Sequence, residues 1–386
     1  MNGSVFTFLI SVFWFNAFII FVALLRKNDT FIQNFSIMPV VFIAEAGVLR
    51  LLCFCFELPN TFVISSKRIL PAIIDLLERP LFTMPGEYVL NALNLFCLVW
   101  IAGSLYCIFR ILRGWLQGTK GLFAGEEVSD PQIITVMEEI AAKSNQNAKV
   151  RIVRSPEVTI PMVYGFFRPT IYLPELSFTA GELRNILTHE WTHFVHKDAW
   201  IKLFVCLLQA VFWWNPFVHI LKSNLDPILE IRCDFLVTAR MCPVAKESYL
   251  ASILKVVEHH LSAKSSRKYG GLCNASFLIS LKKRANIEQR FQLVQKSQRQ
   301  ENKPLVLFFY TIFLVVFIAS NMVVAQPVFE SPNMDGGVEL MVITPQNAFL
   351  KPVGDNAYAL YVDGEYFCYV DGEQMQDRPF CLLPIK

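Results

Sequence analysis

A chain of 386 residues with 54% hydrophobic and 17% charged side chains, at a mean hydropathy of +0.42, is too apolar for an ordinary soluble protein. It is also too charged to lie in a bilayer throughout. A mixed architecture follows, with the lipid bilayer as one partner and no direct nucleic-acid partner expected; the formal charge of +3 hides an asymmetry along the chain.

The first apolar run, Ser4 to Leu25, is long enough to cross a hydrocarbon core of about 30 Å and is closed by Arg26-Lys27. It has neither a basic start nor a small-residue cleavage site, so it reads as a retained helix and not a signal peptide. A second run, Ser36 to Phe56, carries Glu45 and Arg50, which must pair, face other helices or reach the interface. A third extends from Tyr88 to Phe109 and a fourth from Pro304 to Val324. Arg26 and Lys27 follow the first run, Arg110, Arg113 and Lys120 follow the third, and a row from Lys282 to Lys303 precedes the fourth. With four spans all these basic sites lie on one side, which the positive-inside rule makes cytoplasmic. The N-terminus and the tail are then extracytoplasmic. Residues 119–302 hold 23 basic and 17 acidic side chains, against 3 and 9 in residues 327–386, in keeping with this orientation.

The segment between the third and fourth spans is long enough for one compact domain. It opens with a helix pattern over Pro131 to Lys143, followed by the strand-like alternation of Lys149 to Arg154. Val158 to Pro174 reads as two short strands around a Gly165 turn. Pro161 and Pro169 remove backbone donors, so part of this hairpin is a sheet edge, open either to an extended peptide or to a purely structural role. Thr179 with Glu182 three residues on forms a capping-box pattern, and the helix it starts runs through Leu183, Ile186 and Leu187 into His189-Glu190-Trp191-Thr192-His193.

That pentapeptide carries the chemistry. Imidazoles at i and i+4 stand on one helix face about 6 Å apart along the axis, as two ligands of one tetrahedral zinc ion require. Glu190 is placed to act as general base towards water activated by the metal. A catalytic site needs a third protein ligand. His196 lies about 10 Å along a continuing helix from His189, too far to share the ion. Glu230 is favoured over Asp226 and Glu182, because Glu230 and Asp234 again stand at i and i+4 on a helix pattern. One of that pair can bind metal while the other supports a ligand imidazole, and Asp198 is expected in a supporting place at a helix end.

Residues 200–221 are apolar enough for a further span, but Asn215-Pro216 interrupts them. A full crossing would part His193 from Glu230 across the bilayer. A helix and turn lying at or dipping into the interface is therefore expected. Past Gln326, Tyr361-Val362-Asp363-Gly364-Glu365 recurs eight residues later as Tyr369 to Glu373, each Asp-Gly marking a hairpin turn of a small β-meander. Among ten cysteines only Cys368 and Cys381 would face an oxidising space, where a disulfide between them is open; the others form no CxxC pair.

Pro161, Gly165, Pro169, Ile171, Leu173 and Pro174, then His189-Glu190 to His193 and Asp198, then Phe212-Trp213-Trp214-Asn215-Pro216, then Glu230 with Cys233-Asp234, together resemble the BlaR/MecR-type membrane metallopeptidase family. Leu98 to Gly103 in the third span resembles it too. The resemblance covers residues 1–326. It implies a mainly α membrane protein with four transmembrane helices, an inserted α+β gluzincin protease domain and a small β-rich C-terminal tail. The divisions expected are a membrane domain over 1–118, a cytoplasmic zinc protease domain over 119–302, the fourth helix over 303–326 and the tail over 327–386. The resemblance also implies zinc on His189, His193 and Glu230, a plasma-membrane location, and signalling that ends in cleavage of a cytoplasmic regulator, in the manner of an antirepressor, or of the chain itself. A homo-oligomer is compatible with this. The penicillin-binding sensor domain of such proteins, with its Ser-x-x-Lys motif, does not occur in the 60 residues after Gln326. A quality-control membrane protease and a non-catalytic signalling scaffold are the alternatives.

Overall fold

The computed structural model describes residues 2–54, 62–66, 69–83, 89–122, 125–144, 150–266, 284–296, 303–327, 347–354, 357–362, 364–371 and 383–385. Two compact units divide the chain, Met1–Val328 and Phe329–Lys386.

The first unit opens with α1 (Asn2–Arg26), an unbroken apolar helix with no acidic residue in its first turn. The chain continues into α2 (Asp29–Phe35) and α3 (Met38–Leu52), which meet at 98°. Ser36 at φ 66 and Pro39 in the first turn of α3 explain the bend, since neither continues a helix from the N-terminal side. The second apolar run is thus a helix of 15 residues, about 22 Å long, and not a straight crossing. Its Arg50 is buried and donates to Ser11 Oγ on α1 and to the Ser320 carbonyl, so the charge faces other helices. Strand β1 (Phe62–Ser66), helix α4 (Ile69–Glu78) and the hairpin β2 (Pro80–Thr83) and β3 (Val89–Asn91) lead to α5 (Ala92–Leu122).

Next come β4 (Glu126–Glu127), α6 (Pro131–Lys143), β5 (Arg151–Arg154), β6 (Met162–Tyr164) and β7 (Thr170–Leu173), which build a four-stranded sheet in the order β4-β5-β7-β6. β5 and β7 run parallel, and β6 is an antiparallel edge. Gly165, at φ 108, turns the chain from β6 towards β7; an added Cβ would lie 2.3 Å from the Arg168 carbonyl oxygen. The sheet packs on α6 and on α7 (Ala180–Val195) through Ile133, Met137, Ile171, Leu173, Leu187 and Trp191. α8 (Asp198–Val211) and α9 (Pro216–Thr238) form a helical hairpin, followed by α10 (Pro243–Ser266), α11 (Arg284–Lys296), α12 (Lys303–Asn321) and β8 (Val323–Pro327), which pairs in parallel with β1.

Among the described residues three helices are long and apolar enough to cross a membrane, Val5–Arg26, Ala92–Leu116 and Pro304–Asn321, or four spans if the bent α2–α3 pair is one. The α8–α9 hairpin packs lengthwise on the first of them. Val12, Phe15 and Ile19 of α1 share a core with Val205, Leu208, Val218 and Leu221. Asn215 donates to Asn16 at 3.0 Å, and nine residues later Asn224 accepts from Arg26 Nε at 2.6 Å. The turn at Asn215, which caps α9 through the Phe217 amide, folds the apolar stretch back on itself, so that Lys202 of α8 meets Asp226 of α9. Glu230 lies six residues beyond Asn224, about 9 Å further along the helix.

In the second unit β9 (Ala348–Gly354), β10 (Ala357–Val362) and β11 (Glu365–Asp371) form an antiparallel meander around Leu350, Leu360, Val362 and Val370. Gly364, at φ 90, makes the first expected hairpin turn. The turn expected at Asp371-Gly372, the Cys368 to Cys381 pairing and the start of the basic row, Lys282-Lys283, fall outside the described residues.

Gly165→Ala is expected to destabilise the first unit by about 1–3 kcal/mol, because the left-handed backbone there admits no Cβ without displacing the Arg168 carbonyl. Thermal unfolding of the detergent-solubilised chain measures this; a wild-type midpoint would contradict it.

Candidate metal centre

The capping box forms as its spacing requires: Thr179 Oγ1 accepts from the Glu182 amide at 3.3 Å and Glu182 Oε2 accepts from the Thr179 amide at 2.8 Å. The helix it starts turns Leu183, Leu187 and Trp191 towards the sheet and leaves His189, Glu190 and His193 on the adjoining face, all buried. α7 is capped at its C-terminus by His196, and Lys197 at φ 57 reverses the chain into α8. That reversal lets Asp198 reach back five residues to His193.

The Nε2 atoms of His189 and His193 stand 3.1 Å apart. Opposite them, α9 presents Glu230, with Oε2 at 3.4 Å from His189 Nε2 and Oε1 at 3.6 Å from His193 Nε2. Two ring nitrogens and a carboxylate that converge within 3.1 to 3.6 Å of one another have the chemistry of donors to a divalent cation. A second donor set, His189, His193 and Cys233, falls within 4.8 Å. Its sulfur lies 3.4 Å from His189 Nδ1, donates to the His189 carbonyl and also bears on His193. The Glu230 carboxylate and the Cys233 sulfur are both within reach of the ring pair.

Each imidazole is oriented from behind. His193 Nδ1 donates to Asp198 Oδ2 at 2.6 Å, and Asp198 is bound in turn by Arg232. His189 Nδ1 donates to the Tyr249 oxygen at 2.8 Å, while the Tyr249 hydroxyl donates to Asp234 Oδ1 at 2.7 Å. Arg290 grips Asp234 with two bonds, 2.6 and 2.8 Å, and places Nη1 3.0 Å from Glu230 Oε2. With both Nδ1 atoms donating, both Nε2 atoms face the same space, where a bound cation would take the place of the ring protons.

Charge agrees with this. Burial opposes protonation of His189, yet Cys233 and Glu230 outweigh it and hold the imidazole up at about 10. His193 is likewise raised against burial by Cys233 and Asp198. Burial would raise Glu230, but Arg290 and the two imidazoles keep it well below the usual carboxylate range. Burial and then Asp234 push Tyr249 well above the ordinary phenol, which keeps it a neutral donor.

All six residues singled out from the sequence meet here. Glu190 faces the sheet edge, where its Oε2 accepts from the Val163 amide of β6 at 3.0 Å. The rival carboxylates are engaged elsewhere, Asp226 with Lys202 at 3.2 Å and Glu182 with Lys255 at 2.7 Å. Asp234 supports His189 through Tyr249 and not directly, its Oδ1 lying 3.7 Å from Nδ1. Sequence reasoning missed Tyr249, Arg232 and Arg290. Arg290 belongs to the basic row read only as a membrane anchor, and Tyr249 has no local spacing that marks it.

Tyr249→Phe is expected to weaken zinc or cobalt binding by about tenfold, as loss of an outer hydrogen-bond partner does. Competition with a chromophoric chelator measures it. Because His189 is held at about 10 in the metal-free chain, a cation entering near neutral pH displaces its proton. Apparent affinity therefore falls as pH falls, by about tenfold per unit for each proton displaced. A pH-independent affinity between pH 6 and 8 would contradict the geometry.

The sequence matches the family described as BlaR1 peptidase M56 over residues 82–294. It is 32% identical over 162 residues to the regulatory protein BlaR1 of Bacillus licheniformis, covering 42% of this chain and 27% of that protein. It is 24% identical over 148 residues to the methicillin resistance mecR1 protein of Staphylococcus aureus, covering 37% and 25%. The regulatory protein BlaR1 of Staphylococcus aureus is 21% identical over 244 residues, covering 61% and 40%. The match to the first of these relatives spans about a quarter of its length. Because the family match extends over more than half of the chain and takes in the whole imidazole–carboxylate cluster from His189 to Arg290, this chain belongs to the BlaR1 peptidase M56 family.

Proposed function

We propose that the chain is a membrane-bound zinc metalloendopeptidase that transmits a signal by cleaving a cytoplasmic regulator or itself. The observation that carries this reading is the approach of His189 Nε2, His193 Nε2 and the Glu230 carboxylate, beside Glu190 and an open sheet edge. His189, His193 and Glu230 would hold the zinc ion, which when bound polarises a carbonyl and acidifies water. Asp198 and, through Tyr249, Asp234 fix the imidazole tautomers. Glu190 takes a proton from the attacking water at its carboxylate and hands it to the leaving amine. The β6 edge offers main-chain groups to an extended peptide, with the Val163 amide holding Glu190 beside it.

In this reading four spans, with α2–α3 counted as one, place the N-terminus and tail outside. The protease domain, residues 119–302, lies between the third and fourth spans on the cytoplasmic side. The regulatory role rests on the names of the relatives, and the near-membrane place of the site on the packing of α8 and α9 along α1.

Glu190→Gln is expected to keep the metal and lower peptide hydrolysis by a factor of about 10² to 10⁴. Comparing membranes and cell extracts of cells carrying wild type and Glu190→Gln should reveal a protein fragment that only the wild type produces. Identical fragment patterns would overturn the reading.

A further inference from the structure

The guanidinium of Arg290 is buried in the site, yet it is delivered by α11, a helix that also grips the end of the first membrane helix. Gln289, its neighbour, points elsewhere: its side-chain amide donates to the Arg26 carbonyl at 2.9 Å and to Asp29 Oδ1 at 2.6 Å. One turn earlier Asn286 Oδ1 accepts from Arg26 Nη1 at 3.4 Å. Successive helix residues point about 100° apart, so one rigid turn of α11 holds the α1–α2 elbow on one face and the site on another. Leu293 of the same helix is fully packed against Ile228 and Ile231 of α9, in a core shared with Phe18, Val22 and Ile32. A displacement of Arg26 and Asp29 therefore reaches Arg290 through covalent helix and dense packing, not through a loop.

Arg290 bonds two carboxylates at once. It holds Asp234 by a fork and Glu230 by its remaining nitrogen, and Glu230 Oε2 is the same oxygen that lies nearest His189 Nε2. Lysine has one ammonium and cannot reproduce this pattern. We propose that Arg290 is a positioning residue that sets the orientation of Glu230 towards the imidazole pair, and that α11 makes this orientation depend on the α1–α2 elbow of the membrane domain. The inference rests on the proposed ligation by His189, His193 and Glu230.

The test uses the full chain in lipid nanodiscs with cobalt(II) as the probe, because the visible band of the ion reports its coordination. Arg290→Lys keeps the charge and loses the fork; it is expected to shift the cobalt band and to weaken cobalt binding by about tenfold. Arg290→Gln is expected to weaken binding as well, although removing a positive charge would by itself favour a cation. Gln289→Ala and Asp29→Asn lie outside the site and are expected to shift the same band in the same direction by a smaller amount. Unchanged band and affinity in Arg290→Lys, or tighter binding in Arg290→Gln, overturns the positioning role. A shift in Arg290→Lys with wild-type spectra in both elbow variants overturns the coupling. Failure of the wild type to bind cobalt, or a Glu230→Gln spectrum identical to wild type, instead overturns the ligand assignment on which the inference stands.

Discussion

Two imidazole Nε2 atoms facing each other at 3.1 Å have room for a shared proton or a cation between them, and the protein holds them there by fixing each ring from its far side. That constraint organises the first unit. The four-residue spacing on α7 brings the rings together. The reversal at Lys197 returns Asp198 to one of them, and α10 supplies Tyr249 to the other. α9 must then run far enough past Asn224 to bring Glu230 opposite both. Each supporting group is itself tied to an arginine, so rotation of either ring breaks a chain of charge-assisted bonds and not a single contact.

What is legible in the sequence is what local spacing encodes. The capping box at Thr179, the helix from Pro131 to Lys143, the turn at Gly165 and the first hairpin of the tail all follow from residues within a few positions of one another. The same holds for the pairing of Glu230 with Asp234. Tyr249, Arg232 and Arg290 are supplied by other helices, and a tyrosine or arginine with no neighbour of matching chemistry carries no periodic mark. The bend between α2 and α3 was hidden differently, because it depends on the positive φ of Ser36, a residue type that carries no mark of that backbone angle.

The apolar stretch after Asp198 illustrates a conflict between composition and geometry. Hydrophobicity alone argues for another crossing of the bilayer, whereas a crossing would separate residues that the structure brings within 4 Å. The Asn215-Pro216 turn removes the conflict: α8 and α9 bury their apolar faces against α1 and close on each other again at Lys202 and Asp226. Proximity of the cluster to the membrane helices is thus a direct consequence of one capped turn.

The buried cluster also has a simple charge balance. Glu190, Asp198, Glu230 and Asp234 bring four carboxylates together, and among the described residues Arg232 and Arg290 are the guanidiniums bound to them. The carboxylates outnumber the guanidiniums, and the Cys233 sulfur beside the rings adds to the negative side. A cation offsets this excess, as do protons drawn onto the rings. Electroneutrality of the interior thus calls for a positively charged occupant independently of which atoms touch it.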